Sequence, residues 1–358
     1  MDFMTELFVY DWVHRGNIIF GHCIDEQGNY CMIKINGFSP FCYVEGDTIP
    51  PSTVIPVKVS YKKMATSRDI YTLYPFHKVF FDSKKDMTQF VFENKKKCHM
   101  SDIPYITMFL SQFNINNVGW IRVPSLNIRD PCDIETVPDK NPYPHPKIMI
   151  FDIEVKSSDL RMPKAYKLAD RIEMISVIVS RYRTPYQHCK KILLHTHTSQ
   201  LGVTDTIEIP CTDEIQLITK FFELIKSENP DIITGFNILG FDIKYIISRL
   251  QLRLMEIPDV SRGLKGTIDV INVDWSTSAY GFNAYNRLII GGRLILDMFL
   301  YLKRMKLEKY SLDYISSKFL GERKNDMNHV KMMEIFNTRD PAGLLEIAEY
   351  CIQDSVLV

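Results

Sequence analysis

The sequence predicts two domains, a strand-rich α+β domain over residues 1–140 and an α/β domain over residues 141–358 with a sheet flanked by helices. A chain of 358 residues is longer than one ordinary domain. Short β-rich runs fill its first part, whereas strands and helices alternate in the second. Between the two lies a segment that is poor in apolar residues and has prolines at positions 131, 138, 142, 144 and 146.

The composition indicates a folded protein without a strong overall charge. With 46% hydrophobic and 12% aromatic residues, the chain can build real cores. It has 43 Lys plus Arg and 43 Asp plus Glu, so binding to nucleic acid must use local patches or metal ions, which disfavours a simple DNA-coating protein.

The cysteines and the apolar runs predict an intracellular protein. The eight cysteines show no CxxC or zinc-ligand spacing, and no signal segment begins the chain, so we expect reduced thiols. No apolar run approaches the ~20 residues that span a bilayer, so no membrane partner is expected.

In the first domain, aromatic and β-branched runs between Leu7 and about Pro75 predict short strands. The tripeptide Gln27-Gly28-Asn29 predicts a hairpin turn between two of them. A helix is expected near Pro104 to Phe113.

In the second domain, a four-residue apolar run that leads into Asp152-Ile-Glu154 predicts a buried strand, and the runs RIEMISVIVS and KKILLHTHT predict two more. Thr212 is expected to cap a helix that ends at Pro230. The run DIITGF predicts a further strand, and Asp242 is expected to begin the helix after it. Residues 268–297 contain two strand-like arms around a polar middle, which predicts a hairpin.

Asp152 and Glu154 are the first candidate site residues. Residues two apart in a strand point to the same face, so the two carboxylates leave the strand together. Two anions at short range repel unless a cation neutralises them, and oxygen-only ligands suit Mg²⁺ or Mn²⁺. The same tripeptide recurs at Asp133 to Glu135, where we expect solvated loop charges. Charges at strand ends are also common. The tripeptide alone therefore does not establish a metal site.

Two later segments supply further polar groups. Asn237 and Asp242 bracket a loop at the carboxyl end of a predicted strand, where open α/β sheets place ligands, although Asp242 is also explained as a favourable first-turn carboxylate. Tyr350 and Asp354 are four apart in a helical context and so share one helix face.

The spacing Tyr-x-x-x-Asp is not informative by itself. It also occurs from Tyr43 and from Tyr166. We select the copy that begins at Tyr350 because it follows the segment 237–242 and lies on a predicted helix.

Together these residues resemble a known family. The ordered set Asp152-x-Glu154, Asn237-x-x-x-Phe241-Asp242 and Tyr350-x-x-x-Asp354 is similar to the three exonuclease motifs of family B DNA polymerases with a tyrosine in the third motif. The stretches GGRLILDMF and YSLDYISSKFLGERKND resemble the same family. The stretches NGFSPFCYVEGD and DIPYITMFLSQFNINNVGWIRV resemble its N-terminal domain, so the likeness covers nearly the whole chain.

The resemblance implies a fold and a site. Residues 1–140 would form the family's N-terminal domain, and residues 141–358 a ribonuclease H-like exonuclease domain. Two divalent ions, Mg²⁺ or Mn²⁺, would be held by Asp152, Glu154, Asp242 and Asp354. Tyr350 would orient the attacking water or help to deprotonate it. Asn237 and Phe241 would seat the terminal nucleotide.

The implied function is 3′→5′ proofreading on the single-stranded 3′ end of a primer-template DNA. The sequence contains neither SLYP nor DTDS, which represent the carboxylate-bearing segments that nucleotide addition requires in this family. We therefore expect no polymerisation by this chain alone. It resembles the front portion of a polymerase, either a fragment, a truncated reading frame or one piece of a split enzyme whose remaining domains are a partner. Divergent spacing and flanks favour a viral or other fast-evolving replication enzyme.

Two other functions and one structural question stay open. One alternative is that the chain is a non-catalytic DNA-binding or scaffolding module of a split polymerase. The other is that it is a stand-alone nuclease acting on RNA or DNA. By resemblance, the hairpin within 268–297 either helps to separate primer from template or is an ordinary surface hairpin. Its aromatic residues either stack on bases or pack under the turn; they are Trp275, Tyr280, Phe282 and Tyr285.

Overall fold

A computed structural model describes residues 4–66, 69–141, 143–159, 161–266, 268–277, 281–323 and 327–358, with side chains except at 275–277, 281–284 and 286. The chain divides into two compact units, Met1–Pro144 and His145–Val358, which we call the first and second unit. Over the described ranges, no helix combines the length and the apolar character that a membrane span requires.

The first unit is rich in strands. In chain order its elements are β1 (Thr5–Arg15), β2 (Ile18–Ile24), β3 (Tyr30–Ile35), β4 (Phe41–Glu45), β5 (Lys58–Met64), β6 (Tyr74–Phe80), α1 (Lys84–Glu93), β7 (Cys98–His99), α2 (Tyr105–Phe113), β8 (Gly119–Val123), β9 (Asn127–Ile128) and β10 (Glu135–Thr136). One sheet has the order β10-β8-β1-β2-β3-β9, and the other has the order β5-β6-β4-β7. Both sheets and both helices contribute to one apolar core.

Sequence expectations for this unit are confirmed with one refinement. The turn between β2 and β3 contains Gly28 with a positive φ of 79°, and Pro104 precedes α2. The second Asp-Ile-Glu copy has exposed carboxylates, as expected. It is not only linker, however, because Glu135 lies in the short strand β10, where Arg122 of β8 pairs with it at 3.3 Å.

The second unit has a mixed sheet with helices on both faces, which confirms the predicted fold class. In chain order its elements are β11 (Lys147–Lys156), β12 (Arg171–Arg181), β13 (Lys190–His195), β14 (Ile207–Pro210), α3 (Glu214–Glu228), β15 (Ile232–Gly235), α4 (Asp242–Leu252), β16 (Ile268–Thr277), β17 (Gly281–Ile290), β18 (Leu294–Asp297), α5 (Met298–Leu302), α6 (Leu312–Phe319), α7 (His329–Thr338) and α8 (Pro341–Val356).

The strand β11 lies inside this sheet, whose order is β14-β13-β12-β11-β15-β18. It pairs antiparallel with β12 and parallel with β15, and β15 pairs parallel with β18. The carboxyl ends of these three parallel strands therefore meet at one edge. Odd-numbered residues of β11, such as Phe151 and Ile153, pack with α3 and α4. Even-numbered residues consequently face the side on which α8 packs against β11 and β12.

Two expectations for the second unit need comment. The prediction that Thr212 caps α3 is wrong, because the N-cap is Asp213, whose carboxylate accepts the N–H of Gln216 at 2.8 Å. The hairpin β16–β17 forms as expected, and Tyr285 packs against the core. Tyr280 and the side chains of Trp275 and Phe282 lie outside the described residues.

Candidate active site

The carboxylates of Asp152 and Glu154 converge with the thiol of Cys351. One carboxylate oxygen from each acid and the Cys351 Sγ all lie within 4.8 Å of one another. The convergence follows from the fold, because the even-numbered face of β11 is the face that α8 covers. The predicted common face of the two acids is therefore present, and the third member of the group comes from α8.

Sequence reasoning did not identify Cys351 as a member of this group. Burial raises the pKa of its thiol well above the ordinary range, and the charges of Glu154, Asp152 and Asp354 raise it further. At neutral pH it is a protonated thiol beside the carboxylates of Asp152 and Glu154. Its position three residues before Asp354 on a helix was the available signal, but a buried helical cysteine is usually only part of a core.

Asp242 is attached to β11 between the two acids. Its Oδ1 accepts the backbone N–H of Ile153 at 3.1 Å, and the residue is 3% exposed. Burial raises the pKa of Asp242 to about 7, although hydrogen bonds from its own N–H and from Ile153 lower it, and the charge of Asp297 adds to the rise. Within the described residues, the carboxylates of Asp242 and Asp354 lie outside the 4.8 Å group.

Helix α8 is fixed to the sheet at the level of Asp152. Ser176 lies opposite Asp152 in the β11–β12 ladder. Its hydroxyl donates to the carbonyl of Cys351 at 2.8 Å and lies 2.7 Å from the hydroxyl of Ser355. The same helix carries Tyr350, which packs at the edge of an apolar cluster, and Asp354, which is 5% exposed.

The turn from Asn237 to Phe241 connects β15 to α4. Asn237 has a left-handed backbone with φ of 64°, and its carbonyl accepts the N–H groups of Gly240 and Phe241, each at 3.0 Å. Asn tolerates this conformation better than most residues. The backbone conformation therefore explains why an asparagine stands at position 237, whether or not its side chain contacts substrate.

Asp297 supports this turn from the end of β18. Its Oδ1 accepts the N–H of Asn237 and its Oδ2 that of Leu239, both at 2.9 Å, and the residue is buried. Sequence reasoning placed Asp297 only in a flanking stretch. Hydrogen bonds between residues 60 apart in the chain leave no local pattern to detect.

A groove of about 720 Å³ lies beside this turn. Phe241 and Gly240 line one part of it, and Lys244 contributes from α4. The loop 162–166, which includes Lys164 and the exposed Tyr166, also lines it. Aromatic and cationic side chains therefore share one concave surface next to the turn from Asn237 to Phe241.

A buried ion pair holds the loop that lines the groove. The guanidinium of Arg249, in α4, pairs with Glu214 at 2.5 Å, and both side chains are at most 5% exposed. Arg249 also donates to the carbonyls of Ala165 at 2.9 Å and Lys167 at 2.6 Å.

Asp170 closes the same loop. Its carboxylate accepts the N–H of Ser158 and the N–H of Lys164, each at 2.8 Å, and the Ser158 hydroxyl at 2.5 Å. Burial pushes the pKa of Asp170 up, but these hydrogen bonds outweigh it, so its pKa lies below the ordinary value.

Comparison with known proteins identifies the family. A sequence model described as "DNA polymerase family B, exonuclease domain" matches residues 97–315. DNA polymerase 120R of Invertebrate iridescent virus 3 is 28% identical over 298 residues, covering 74% of this chain and 26% of that protein. The DNA polymerase delta catalytic subunit of Caenorhabditis elegans is 30% identical over 292 residues, with the same two coverages. The chain thus spans about a quarter of the length of these relatives.

A solved structure has the same fold. The family B DNA polymerase from the hyperthermophilic archaeon Pyrobaculum calidifontis superposes with a TM-score of 0.68 at 18% identity, covering 98% of this chain and 44% of that chain. At this identity the likeness shows the fold alone. The sequence match, which covers more than half of the chain, shows that the protein belongs to the family B DNA polymerases and contains their exonuclease domain.

Proposed function

We propose that the second unit removes nucleotides from the 3′ end of single-stranded DNA by metal-dependent hydrolysis, as the proofreading part of a DNA polymerase. The observation that carries the proposal is the convergence of Asp152 and Glu154, with Asp242 hydrogen-bonded to the residue between them. Divalent ions bound there would lower the pKa of the attacking water and stabilise the leaving oxygen of the phosphodiester.

The residues present fit Mg²⁺ or Mn²⁺. Hard oxygen donors dominate the group, and Asp152, Glu154, Asp242 and Asp354 would hold the ions. Burial and the charge of Asp297 both raise the pKa of Asp242, which is the electrostatic situation that a bound cation relieves. The Cys351 thiol is protonated at neutral pH and adds a weak ligand only.

The other predicted residues have roles that their positions support. Tyr350 lies on α8 four residues before Asp354, and its hydroxyl would orient the attacking water more than deprotonate it, since the reference pKa of tyrosine is about 10. Phe241 lines the groove and would stack on the terminal base, while Asn237 would contact the same nucleotide.

The groove would receive the end of the strand. Lys164 and Lys244 would neutralise phosphates, and Tyr166 offers a second aromatic face. The loop from 162 to 166 keeps its place through Arg249 and Asp170, so these two residues act on substrate only indirectly.

The proposed partners follow from the family. The substrate would be the 3′ end of a primer-template, and residues 1–140 would be the family's N-terminal domain. The relatives above are named as DNA polymerases and are about four times longer than the matched region, so polymerase domains in the same or a second chain would supply nucleotide addition.

The test uses the duplicated tripeptide as a matched control. The whole chain is incubated with 5′-labelled single-stranded DNA and Mg²⁺ or Mn²⁺, as wild type, as Asp152→Ala/Glu154→Ala, and as Asp133→Ala/Glu135→Ala. We expect laddered shortening from the 3′ end by the wild type and the control, and none by the first variant. Shortening by all three proteins contradicts the proposal.

Two further arms separate the alternative functions. Tight binding of single-stranded DNA without hydrolysis, and without a calorimetric signal for Mn²⁺, would indicate a non-catalytic binding or scaffolding module. Equal shortening of an RNA strand would indicate a nuclease that is not specific for DNA.

A further inference from the structure

Two cysteines face each other near the turn of the β2–β3 hairpin in the first unit. Cys23 of β2 lies directly opposite Cys31 of β3 in the antiparallel register. Opposite residues in such a pair have Cα atoms about 4.5–5.5 Å apart, and their side chains lie on the same face of the sheet. A disulfide joins residues whose Cα atoms are about 4.4–6.8 Å apart. The register therefore places these two cysteines within reach of a disulfide.

The two thiols are in contact but differ in their exposure to solvent. Cys23 is 0% exposed and belongs to the apolar core of the unit. Cys31 is half-buried and packs against the same core. A hydrogen bond joins the two thiols. A small reagent in solvent can therefore reach the sulfur of Cys31, and the sulfur of Cys23 is then beside the point of reaction.

The surroundings of the two thiols give them different reactivities. The hydrogen bond with Cys23 lowers the pKa of Cys31 below its ordinary value, although burial and the charge of Asp25 oppose this effect. Burial raises the pKa of Cys23 well above its ordinary value, and the hydrogen bond with Cys31 adds to the rise. The thiolate is the form that attacks an oxidant. Oxidation-sensing cysteines combine a lowered pKa, contact with solvent and a neighbouring second thiol, and Cys31 has all three features.

A second pair of cysteines in the same unit has a different register and serves as an internal comparison. Cys98 of β7 lies opposite Val44 of β4, so Cys42, two residues earlier in β4, is its diagonal neighbour. Diagonal neighbours are about 7–8 Å apart. A disulfide cannot join Cα atoms more than about 7 Å apart without movement of the backbone. The thiols of Cys42 and Cys98 also share a hydrogen bond, so the register, and not contact between sulfur atoms, distinguishes the two pairs.

The turn beside the first pair also holds a later part of the chain. The N–H of Asp25 donates to the carbonyl of Asn29 at 2.9 Å, which closes the turn. Glu26 lies in this turn, and its carboxylate pairs with the ammonium group of Lys140. A bridge between the two cysteines would join the strands two residues before Asp25 and two residues after Asn29. It would therefore fix the base of a turn to which Lys140 is tied.

We propose that Cys31 is an oxidation site for hydroperoxides and that Cys23 converts the oxidised form to a reversible disulfide. In the first step the peroxide O–O bond breaks and an S–O bond forms, so the Cys31 thiol becomes a sulfenic acid and the peroxide becomes an alcohol or water. In the second step the sulfur of Cys23 attacks that of Cys31, and the hydroxyl group leaves with the Cys23 proton as water. Each sulfur gives up one electron, and the peroxide takes up both. A dithiol reductant restores the two thiols. This site does not depend on the proposed hydrolytic function.

The test treats the whole chain with hydrogen peroxide, blocks the remaining thiols with N-ethylmaleimide in urea, and digests the protein with trypsin. Cys23 and Cys31 lie in one tryptic fragment, residues 16–34. The bridge is therefore read as the loss of two hydrogen atoms from this fragment, which then carries no maleimide until dithiothreitol is added. The proteins compared are the wild type, Cys31→Ser, Cys23→Ala and the control Cys132→Ser, which removes an exposed cysteine. Thermal unfolding in dithiothreitol checks that each variant is folded.

We expect the bridge in the wild type and in the control. Cys23→Ala should stop at a sulfenic acid on Cys31, which dimedone traps, and Cys31→Ser should keep Cys23 as a free thiol. The bridge should raise the unfolding temperature of the wild type by on the order of 5 °C, because a cross-link restricts the unfolded chain. The proposal is overturned by a wild type without the bridge, by a bridge between Cys42 and Cys98 in its place, or by a lower unfolding temperature of the bridged protein.

Discussion

The backbone N–H of Ile153 donates a hydrogen bond to Oδ1 of Asp242 at 3.1 Å, joining two segments 89 residues apart. The strand that carries Asp152 and Glu154 is thereby set against the first turn of α4. The buried carboxylate of Asp242 holds the backbone through one oxygen, and in the proposed site its charge would also hold a metal ion. The two tasks can be separated by substitution.

Asp242→Asn is expected to retain the fold and lose hydrolysis. The amide oxygen still accepts the N–H of Ile153, but the charge is gone, and loss of one preorganised electrostatic contact costs on the order of 100-fold in rate. Without metal the variant is expected to unfold at the same or a higher temperature near pH 8, because a buried charge has been removed. Wild type should be stabilised by Mn²⁺ by about 2.7 kcal/mol at 100 times the dissociation constant, and the variant by less. An active variant, or one that Mn²⁺ stabilises equally, argues against the role of Asp242.

Arg249 and Glu214 are expected to depend on each other for stability. Removing one member of a buried ion pair leaves the other charge uncompensated and typically costs about 3–5 kcal/mol. We therefore predict a loss of this size for Arg249→Met or Glu214→Gln alone, measured by urea unfolding. The double variant should be more stable than the sum of the two losses implies. Strict additivity would show that the pair does not act as a unit.

Asp170→Asn is expected to have a pH-dependent cost. Because the pKa of Asp170 is lowered in the folded state, its contribution is fully present above the unfolded value of about 3.9 and is lost as pH falls through the folded pKa. Near pH 7 the variant should be less stable than wild type by about 1–3 kcal/mol, since Lys164 N–H then faces an amide instead of a carboxylate. Below about pH 4 the difference should shrink. A difference that is constant from neutral pH down to that point contradicts this assignment.

Gly240→Ala and Gly235→Ala are expected to fail in different ways. A Cβ at Gly240 would lie 2.4 Å from Oδ1 of Asn237, a side chain that can rotate away. The fold should survive, whereas displacement of Asn237 should raise KM or lower kcat by about 10- to 100-fold if this residue seats the nucleotide. A Cβ at Gly235 would lie 2.6 Å from the carbonyl oxygen of Phe151, which is backbone in the central strand. That variant should lose stability first, as measured by thermal unfolding.

Local patterns were sufficient for most of the second unit's elements. Alternation over β11 and β12 and the apolar spacing of α3 depend on nearest neighbours along the chain, so they are visible in the sequence. The common face of Asp152 and Glu154 follows from the same alternation. The misplaced cap shows the limit of this reasoning, because Thr212 and Asp213 are both good caps and only the backbone decides between them.

The parts of the site that could not be foreseen depend on contacts between distant segments. Asp297 accepts a hydrogen bond from Asn237, 60 residues away in the chain. Arg249 donates one to Ala165, 84 residues away. Cys351 belongs to the site only because α8 covers the even-numbered face of β11. Such pairings leave no periodic signal in a single sequence.

The order of segments in the mixed sheet also has a consequence for how the protein is made. Asp152 precedes Asp242, and the Ser176–Ser355 contact that fixes α8 joins residues 179 apart. Pairings of such long sequence separation form slowly and only after the intervening chain exists. During synthesis, a ribosome-bound chain that lacks α8 carries the first carboxylates with no helix opposite them. We therefore expect the proposed hydrolytic activity to appear only once α8 has docked.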